Sequence, residues 1–198
     1  MVAPDTSLAS TRRSLGVWAD RLPAAAADLG ICVVEPLRVL SLRHHDAPQA
    51  IESACRRAGL PALPRAGHFS GDDPLLLWRQ PREWLFIGSA AAGQADALLE
   101  SLAPGQDALV CAVDQSAGTV ALALQGSKLD ALLLRLMDAG AIPRTSGEGT
   151  RARLADIAVI VLRREPQCVW LLADRANDHY LADWLAYAAL AAWSSETE

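Results

Sequence analysis

Lysine is almost missing from this chain: of its 198 residues only Lys128 carries an ammonium group, and arginine supplies nearly all of the positive charge. The formal net charge is -5. Proteins that bind nucleic acids without sequence preference need a basic surface to neutralise the phosphates. The composition therefore predicts that nucleic acid is not a partner.

A stretch long enough to cross a membrane is missing too. No window approaches the roughly 20 consecutive apolar residues that a membrane-spanning helix requires. The first 22 residues have no continuous apolar segment, and they carry Arg12, Arg13 and Arg21 at positions that do not fit a secretory signal peptide. We therefore expect a cytoplasmic protein with no membrane partner.

Metal-ligand and redox spacings are not found. The sequence has four cysteines, and no two of them stand at the Cys-x-x-Cys spacing. We expect all four to be reduced and most to be buried: Cys32, Cys55, Cys111 and Cys168. The adjacent pair His44 and His45 lies on a predicted strand, where neighbouring side chains point to opposite faces, so the pair does not predict a metal site.

Signatures of catalysis and cofactor binding are missing as well. The chain has no Gly-x-Gly-x-x-Gly turn, no Gly-x-Ser-x-Gly elbow and no Gly-Lys-Ser/Thr phosphate loop. No cysteine, histidine and acidic residue can be grouped as a nucleophilic set from their spacing. We therefore expect no catalytic residue, no cofactor-binding residue and no metal ligand in this chain.

The sequence does contain enough apolar residues to form a core, at 52% hydrophobic and 21% charged. Its most regular stretch is 114–136. Val120, Leu122 and Leu124 alternate as on a half-buried strand. Gly126 and Ser127 then predict a turn and a helix N-cap, and leucines follow at helical spacing. This stretch predicts a strand, a tight turn and an amphipathic helix.

Similar patterns recur along the chain and predict hairpins separated by helices. Predicted strands lie at 37–45, 75–78, 84–87, 109–113, 157–162 and 168–173, with an extended segment at 31–35. Helices are predicted with Pro48 at the second position of the first one, over 91–103, and to Ala192 after a cap at Asp174 or Asn177. Hairpins with helices between them indicate an α+β fold with largely antiparallel sheets and packed helices.

The predicted organisation is an α+β domain at 31–192, flanked by an N-terminal arm or helix at 1–30 and a tail at 193–198. Within the domain, 31–103 and 108–192 are predicted to repeat a unit of paired strands and a helix. In the arm, Leu15, Trp18 and Leu22 share a helical face. That face either docks on a partner or packs on the chain's own domain.

Two polar loops carry candidate binding residues. The loop at 65–73 contains His68, which we interpret as a surface histidine. The loop at 142–153 contains Arg144, Arg151 and Arg153 together with Glu148. These arginines are suited to binding an anion bidentately, or else they form solvated or inter-subunit salt bridges.

Four segments resemble the gamma subunit of heterotetrameric sarcosine oxidase, over roughly residues 37–192. They are the Trp78–Leu85 hairpin, the corner at Asp114 and Ser116 with the strand and helix that follow, the loop with Pro143, Thr150 and Arg151, and a C-terminal pattern. That pattern consists of Asp174, Arg175, Ala176, Tyr180, Leu181, Trp184 and Leu185.

The resemblance implies the fold of the folate-binding part of the glycine-cleavage aminomethyltransferase. It implies a non-catalytic structural subunit of a bacterial, flavin-dependent complex that oxidatively demethylates sarcosine or a related N-methyl amino acid. Partners would be the alpha, beta and delta subunits. The cofactors FAD, FMN, NAD and tetrahydrofolate would be bound by those partner subunits and not by this chain.

Two other functions are compatible with the same fold. One is a free-standing folate-binding or one-carbon-transfer protein, in which Asp72, Asp73 or Asp114 would hold the pterin. The other is a homodimer of unknown role that pairs the same surfaces with themselves.

Overall fold

The computed structural model describes residues 28–35, 37–89, 93–103 and 109–194, with the side chains of 191–194 left out. The predicted arm up to residue 27 and the tail beyond 194 lie outside the described residues. The described chain contains ten strands: β1 (Gly30–Val33), β2 (Leu37–His44), β3 (Phe69–Gly71), β4 (Leu75–Gln80), β5 (Glu83–Ser89), β6 (Val110–Asp114), β7 (Thr119–Gln125), β8 (Gly149–Leu154), β9 (Ile157–Glu165) and β10 (Cys168–Asp174). Its α-helices are α1 (Pro48–Arg57), α2 (Gln94–Ser101), α3 (Leu129–Leu136) and α4 (Asp178–Ser194).

The strands form two five-stranded sheets in which every pairing is antiparallel. The first sheet has the order β3-β4-β5-β2-β6, and the second has the order β1-β7-β10-β9-β8. Helices α1 and α2 pack on one sheet, and α3 and α4 pack on the other. The predicted α+β fold with largely antiparallel sheets is confirmed.

The two sheets stack face to face, so that the molecule has helices outside and sheets inside. Val39 and Leu85 of the first sheet share an apolar cluster with Ala121, Leu162 and Leu172 of the second. Alternate residues of the same strands face the helices, because side chains along a strand point to opposite sides. Both faces of most strands are therefore buried, which explains why the central segments are so apolar.

The predicted strand, turn and helix at 114–136 is present as β7 and α3. Gly126 has a φ of +139°, and a Cβ atom there would lie 2.1 Å from the carbonyl oxygen of Asp28. The prediction that Ser127 caps the helix is wrong, since Lys128 occupies the N-cap without a side-chain cap. The turn is set by the close approach of residue 28, which the sequence pattern of 114–136 does not contain.

Sheet membership changes at positions that differ from the boundaries of the predicted halves. Strand β1 pairs with β7 in the second sheet, although β2 follows it directly in the first sheet. Strand β6, which the prediction placed in the second half, pairs with β2 in the first sheet. The chain therefore passes from the second sheet to the first between Val33 and Leu37, and returns to the second sheet after Asp114.

Strand β6 is an edge strand of the first sheet, and the buried strand that the apolar run 109–113 predicts is buried on one face only. Val110 and Ala112 are buried, whereas Leu109 and Val113 are 46% and 44% exposed. Leu109 and Val113 lie on the face of β6 that is directed toward the second sheet, but the described part of that sheet does not cover them. Among the described residues, no helix combines the length and apolar character needed to cross a membrane.

Candidate functional site

The two sheets do not close on each other completely, and a cavity of about 500 Å³ remains between them. Apolar residues of both sheets form its walls, and charged residues lie at its ends. It is lined by Val39, Arg79, Leu85, Asp114, Gln115, Gly118, Thr119, Arg151, Ala158, Val159, Ile160, Leu172, Ala173 and Asp174. A cavity of this size is in the range that holds small ligands.

Two arginines from different sheets lie at one end of this cavity. Arg79 belongs to β4 of the first sheet, and Arg151 belongs to β8 of the second. Both also line a neighbouring cavity of about 260 Å³. The two side chains therefore form the partition between the cavities.

Arg79 is held in place by a buried carboxylate. Glu83, at the start of β5, is only 1% exposed. Its Oε1 accepts hydrogen bonds from Ser41 Oγ at 2.5 Å, from Arg79 Nη1 at 2.8 Å and from Arg43 Nε at 3.2 Å. Its Oε2 accepts a hydrogen bond from Gln80 Nε2 at 2.7 Å. Every oxygen of this carboxylate is thus satisfied by the protein.

The environment of Glu83 favours the ionised form. Burial alone would raise the pKa of this carboxyl group, because it removes the charge from water. The hydrogen bond from Ser41 and the charges of Arg79 and Arg43 outweigh burial and hold the pKa of Glu83 below its usual value. Arg79 therefore faces a permanent negative charge at neutral pH.

Positive charge exceeds negative charge at this end of the cavity. Arg79 and Arg151 line this end, and the negative charge of Glu83 is shared between Arg79 and Arg43, a residue outside the cavity lining. The Nε of Arg79 is buried and has no hydrogen-bond partner in the described chain. The side chain of Arg151 has no hydrogen bond or ion pair with any described residue. Unused donors on both arginines make this end suited to an anion.

The opposite end of the cavity is acidic. Asp114 Oδ1 accepts hydrogen bonds from the backbone N of Ser116 at 2.8 Å and from its Oγ at 2.5 Å, while Oδ2 lies 3.3 Å from Arg38 Nη2. Burial would raise the pKa of Asp114, but Ser116 and Arg38 outweigh it and lower that pKa. Asp174, nearby in the lining, accepts a hydrogen bond from the backbone N of Ala176.

The three alternative candidates for a pterin-binding carboxylate lie in different surroundings. Only Asp114 lines the cavity, and both of its oxygens already contact protein groups. Asp72 pairs with Arg164, whose guanidinium lies 4.4 Å from the ring centre of Trp170. Asp73 accepts a hydrogen bond from the backbone N of Ser89. Folate binding therefore stays a prediction without a free carboxylate among these three.

The predicted arginine loop separates into three different roles. Glu148 accepts hydrogen bonds from the backbone N of Arg144 and of Thr145, and these bonds lower the pKa of Glu148. Arg153 pairs with Asp156 at 3.6 Å on the surface. Arg151 alone reaches the cavity. The salt-bridge interpretation is confirmed for Arg153, and anion binding by Arg151 stays a prediction.

The histidines and cysteines are placed apart from this cavity. His44 stacks on Trp84 with the ring centres 5.4 Å apart, and the partly buried His68 contacts Arg65 and the carbonyl of Ala66. All four cysteines are free thiols. Only Cys55 is buried, so the expectation that most are buried is wrong; burial raises the pKa of Cys55 to about 12. Within the described residues, no three metal-ligand side chains are grouped.

A second notable feature is an aromatic surface on α4, formed by Tyr180, Trp184, Tyr187 and Leu190. The ring centres of Trp184 lie 6.3 Å from those of Tyr180 and 5.9 Å from those of Tyr187. Tyr187 is 68% exposed and Leu190 is 63% exposed. Helical spacing in the sequence places Tyr180 on the inward face of this helix, but the structure leaves it 37% exposed. The buried face is formed by Leu181, Ala182, Leu185, Ala188 and Ala189.

Sequence reasoning missed the buried network at Glu83. A signal for it was present, because Ser41 interrupts the apolar strand Val39 to Leu42, and Glu83 directly precedes another apolar strand. A polar residue inside such a strand needs a partner when it is buried. The partner could not be found without the pairing of β2 with β5, which places Ser41 next to this carboxylate.

The layered sheets with helices outside form an α+β fold that is aminomethyltransferase-like, as comparison with solved structures shows. A chain of heterotetrameric sarcosine oxidase from Corynebacterium sp. U-96, in complex with pyrrole 2-carboxylate, is similar with a TM-score of 0.78 at 21% identity. The match covers 94% of this chain and 96% of that one. The similarity confirms the fold that the resemblance to sarcosine oxidase predicts.

A second similar structure is the glycine cleavage system aminomethyltransferase T from Bartonella henselae, with a TM-score of 0.57 and 16% identity. This match covers 86% of the present chain and 48% of the aminomethyltransferase, so the chain spans about half the length of that protein. No protein-family model and no curated protein sequence matches the chain.

Proposed function

We propose that this chain is a non-catalytic structural subunit, of the gamma type, in a bacterial, cytoplasmic and heteromeric sarcosine-oxidase-like complex. The observation that carries the proposal is the fold similarity to a chain of a heterotetrameric sarcosine oxidase, over nearly the full length of both chains. The complex would oxidatively demethylate sarcosine or a related N-methyl amino acid. FAD, FMN, NAD and tetrahydrofolate would belong to the larger partner subunits.

The aromatic surface of α4 supports a role in subunit assembly. Tyrosine and tryptophan are enriched at protein interfaces and often supply most of the binding energy. Here three aromatic rings contact one another on one helix, and Tyr187 and Leu190 remain largely exposed. Contact with an alpha, beta or delta subunit would remove this apolar area from water, which is favourable.

The proposal is tested by purifying the tagged chain from its native cells, followed by mass spectrometry and an absorbance spectrum. We expect a yellow eluate that contains two large flavin-type subunits. In a second experiment, Tyr187→Asp should reduce recovery of those subunits by about tenfold or more, because the substitution places a charge in the apolar contact. The matched control is Ala97→Asp, an exposed position on α2 at the other helical layer.

A colourless eluate that contains this chain alone contradicts the proposal. Light scattering on that eluate would then identify a homodimer by its mass. Calorimetry with a reduced folate would test the free-standing folate-binding alternative. Equal loss of partners in both substituted chains would contradict the role given to the aromatic surface of α4.

A further inference from the structure

We propose that the cavity between the two sheets binds a small organic monocarboxylate, whose carboxylate group is held by Arg79 and Arg151. This inference goes beyond the structural role proposed above, because it concerns a ligand of this chain in the absence of other subunits. It rests on the unused donors of the two arginines, on the local charge and on the shape of the cavity.

The position of Arg79 is fixed before any ligand arrives. Its Nη1 is bound to Glu83 at 2.8 Å, and that carboxylate is itself held by Ser41 and Gln80. The side chain is 25% exposed, and Nη1 is the one donor of this guanidinium group that has a partner in the described chain. A guanidinium group that is already oriented and keeps a free donor can bind a carboxylate at little entropic cost.

No side-chain hydrogen bond or ion pair within the described chain explains why Arg151 lies at the cavity. It lies on β8, where its side chain contacts neither an acidic group nor a carbonyl of the described chain. Two residues further along the same strand, Arg153 does have an acidic partner in Asp156. The strand therefore offers one arginine that is paired on the surface and one that faces the cavity with its charge unpaired.

The charge at this end calls for an anion. Arg79 and Arg151 line this end with two positive charges, and Glu83, the carboxylate that contacts Arg79, is shared with Arg43. Ionised carboxylates form short, charge-assisted hydrogen bonds with guanidinium groups, often two at once. A ligand carboxylate between Arg79 and Arg151 would accept hydrogen bonds from their accessible guanidinium nitrogens and reduce the excess positive charge.

The remainder of the cavity selects the body of the ligand. Leu85, Ile160 and Leu172 give apolar walls, so an apolar ring or chain would be buried there. Asp114 and Asp174 lie in the same lining and would repel a second carboxylate. These features together favour one carboxylate on an apolar body over a dicarboxylate or an inorganic anion.

The test uses the full chain, with benzoate as the probe, in isothermal calorimetry and thermal unfolding. Benzoate should bind and raise the unfolding temperature. Benzamide has the same ring without the charge and should bind at least about tenfold more weakly, the factor that one charge-assisted hydrogen bond supplies. Terephthalate should also bind more weakly, because its second carboxylate would approach Asp114 and Asp174. Sulfate should give no comparable heat.

Two variants locate the site. Arg151→Gln should weaken benzoate binding by about tenfold or more, because it removes one of the two guanidinium groups. Arg153→Gln removes the same charge from the same strand outside the cavity, and it should leave the affinity unchanged. Arg151 has no partner to lose among the described residues, so the first variant is expected to fold as the natural chain does.

Three outcomes would overturn the inference: no heat with millimolar benzoate, equal binding of benzoate and benzamide, or equal loss in the Arg151→Gln and Arg153→Gln variants. Equal affinity for terephthalate would overturn the assignment to a monocarboxylate. Since these measurements need no partner subunit, their failure leaves the proposed subunit role standing. A failed pull-down likewise leaves the ligand site standing.

Discussion

Glu83 is the residue on which the polar end of the inter-sheet region depends. Its carboxylate is almost completely buried and contacts Ser41, Arg43, Arg79 and Gln80. Buried charges are tolerated only when they are paired and hydrogen-bonded, since the loss of hydration is costly. Removing this carboxylate would leave two arginines facing each other without a counter-charge.

We therefore predict that Glu83→Gln lowers the free energy of unfolding by about 2–4 kcal/mol at pH 7, as measured by urea denaturation. The lower part of the usual range applies because Arg43 is half exposed, so that water screens its electrostatic interaction with Glu83. Ser41→Ala should cost about 1–2 kcal/mol, since it removes one hydrogen bond and keeps the charges. A Glu83→Gln protein as stable as the natural chain would contradict this account.

We also expect the contribution of Glu83 to the free energy of unfolding to depend on pH. The pKa of Glu83 is lower in the folded protein than its ordinary value of 4.5, so the unfolded chain binds the proton more readily. The stabilisation from Glu83 is therefore complete above pH 4.5, and it is lost as the pH falls through the folded pKa. The difference in unfolding free energy between the natural chain and Glu83→Gln should shrink below that pH. A difference that stays constant down to pH 3 would contradict the ionised state of this buried group.

At the scale of elements, the turn between β7 and α3 depends on one glycine. Gly126 combines a φ of +139° with a distance of 2.1 Å from its hypothetical Cβ to the carbonyl oxygen of Asp28. A side chain there would strain the backbone and push away the segment that leads into β1. The turn and the start of the second sheet therefore constrain each other.

We predict that Gly126→Ala lowers the free energy of unfolding by at least about 2 kcal/mol, because steric overlap is added to the unfavourable φ. The control is Gly93→Ala, where φ is -58° and no heavy atom lies within 4 Å of the hypothetical Cβ. That change should be neutral or slightly stabilising, since it restricts the unfolded chain. Chemical denaturation of both variants measures the contrast, and equal effects would refute the role of the close approach.

At the scale of the whole molecule, the two sheets share their inner apolar layer and are connected by two chain crossings. Leu172 of the second sheet is 2% exposed and belongs to the same cluster as Val39 and Leu85 of the first. Arg164 of β9 pairs with Asp72, between β3 and β4. Neither sheet can lose its partner without exposing this layer, so we expect them to unfold as one unit.

We predict that Leu172→Ala lowers the free energy of unfolding by about 2–3 kcal/mol, since the neighbouring cavity leaves the site already loosely packed. In urea the Leu172→Ala substitution should also increase the alkylation of Cys55, a residue of α1 that is buried against the far side of the first sheet. Mass spectrometry of the labelled thiol gives the measurement. If the second sheet melts while Cys55 stays protected, the sheets are independent and the prediction is wrong.

Local periodicity in the sequence was sufficient to predict the class of elements. The alternation in Val120, Leu122 and Leu124 predicted β7, and the proline at position 36 predicted that β2 begins at Leu37; both are confirmed. Helices α1 and α3 were predicted from apolar residues at helical spacing, and their buried faces agree. These features depend on neighbours in the chain, because helical and strand periods are local properties.

Only the tertiary structure decided which strands pair and which side chains line the cavity. The pairing of β1 with β7 and of β6 with β2 brings together residues far apart in sequence, so no local pattern could assign these strands to a sheet. The same applies to Arg79 and Arg151, which meet at one cavity from two different sheets, and to the carboxylate of Glu83 beneath them. The sequence by itself determined the elements and their apolar faces. The position and the charges of the cavity were decided by the stacking of the two sheets, because its charged residues come from strands that only long-range pairing places side by side.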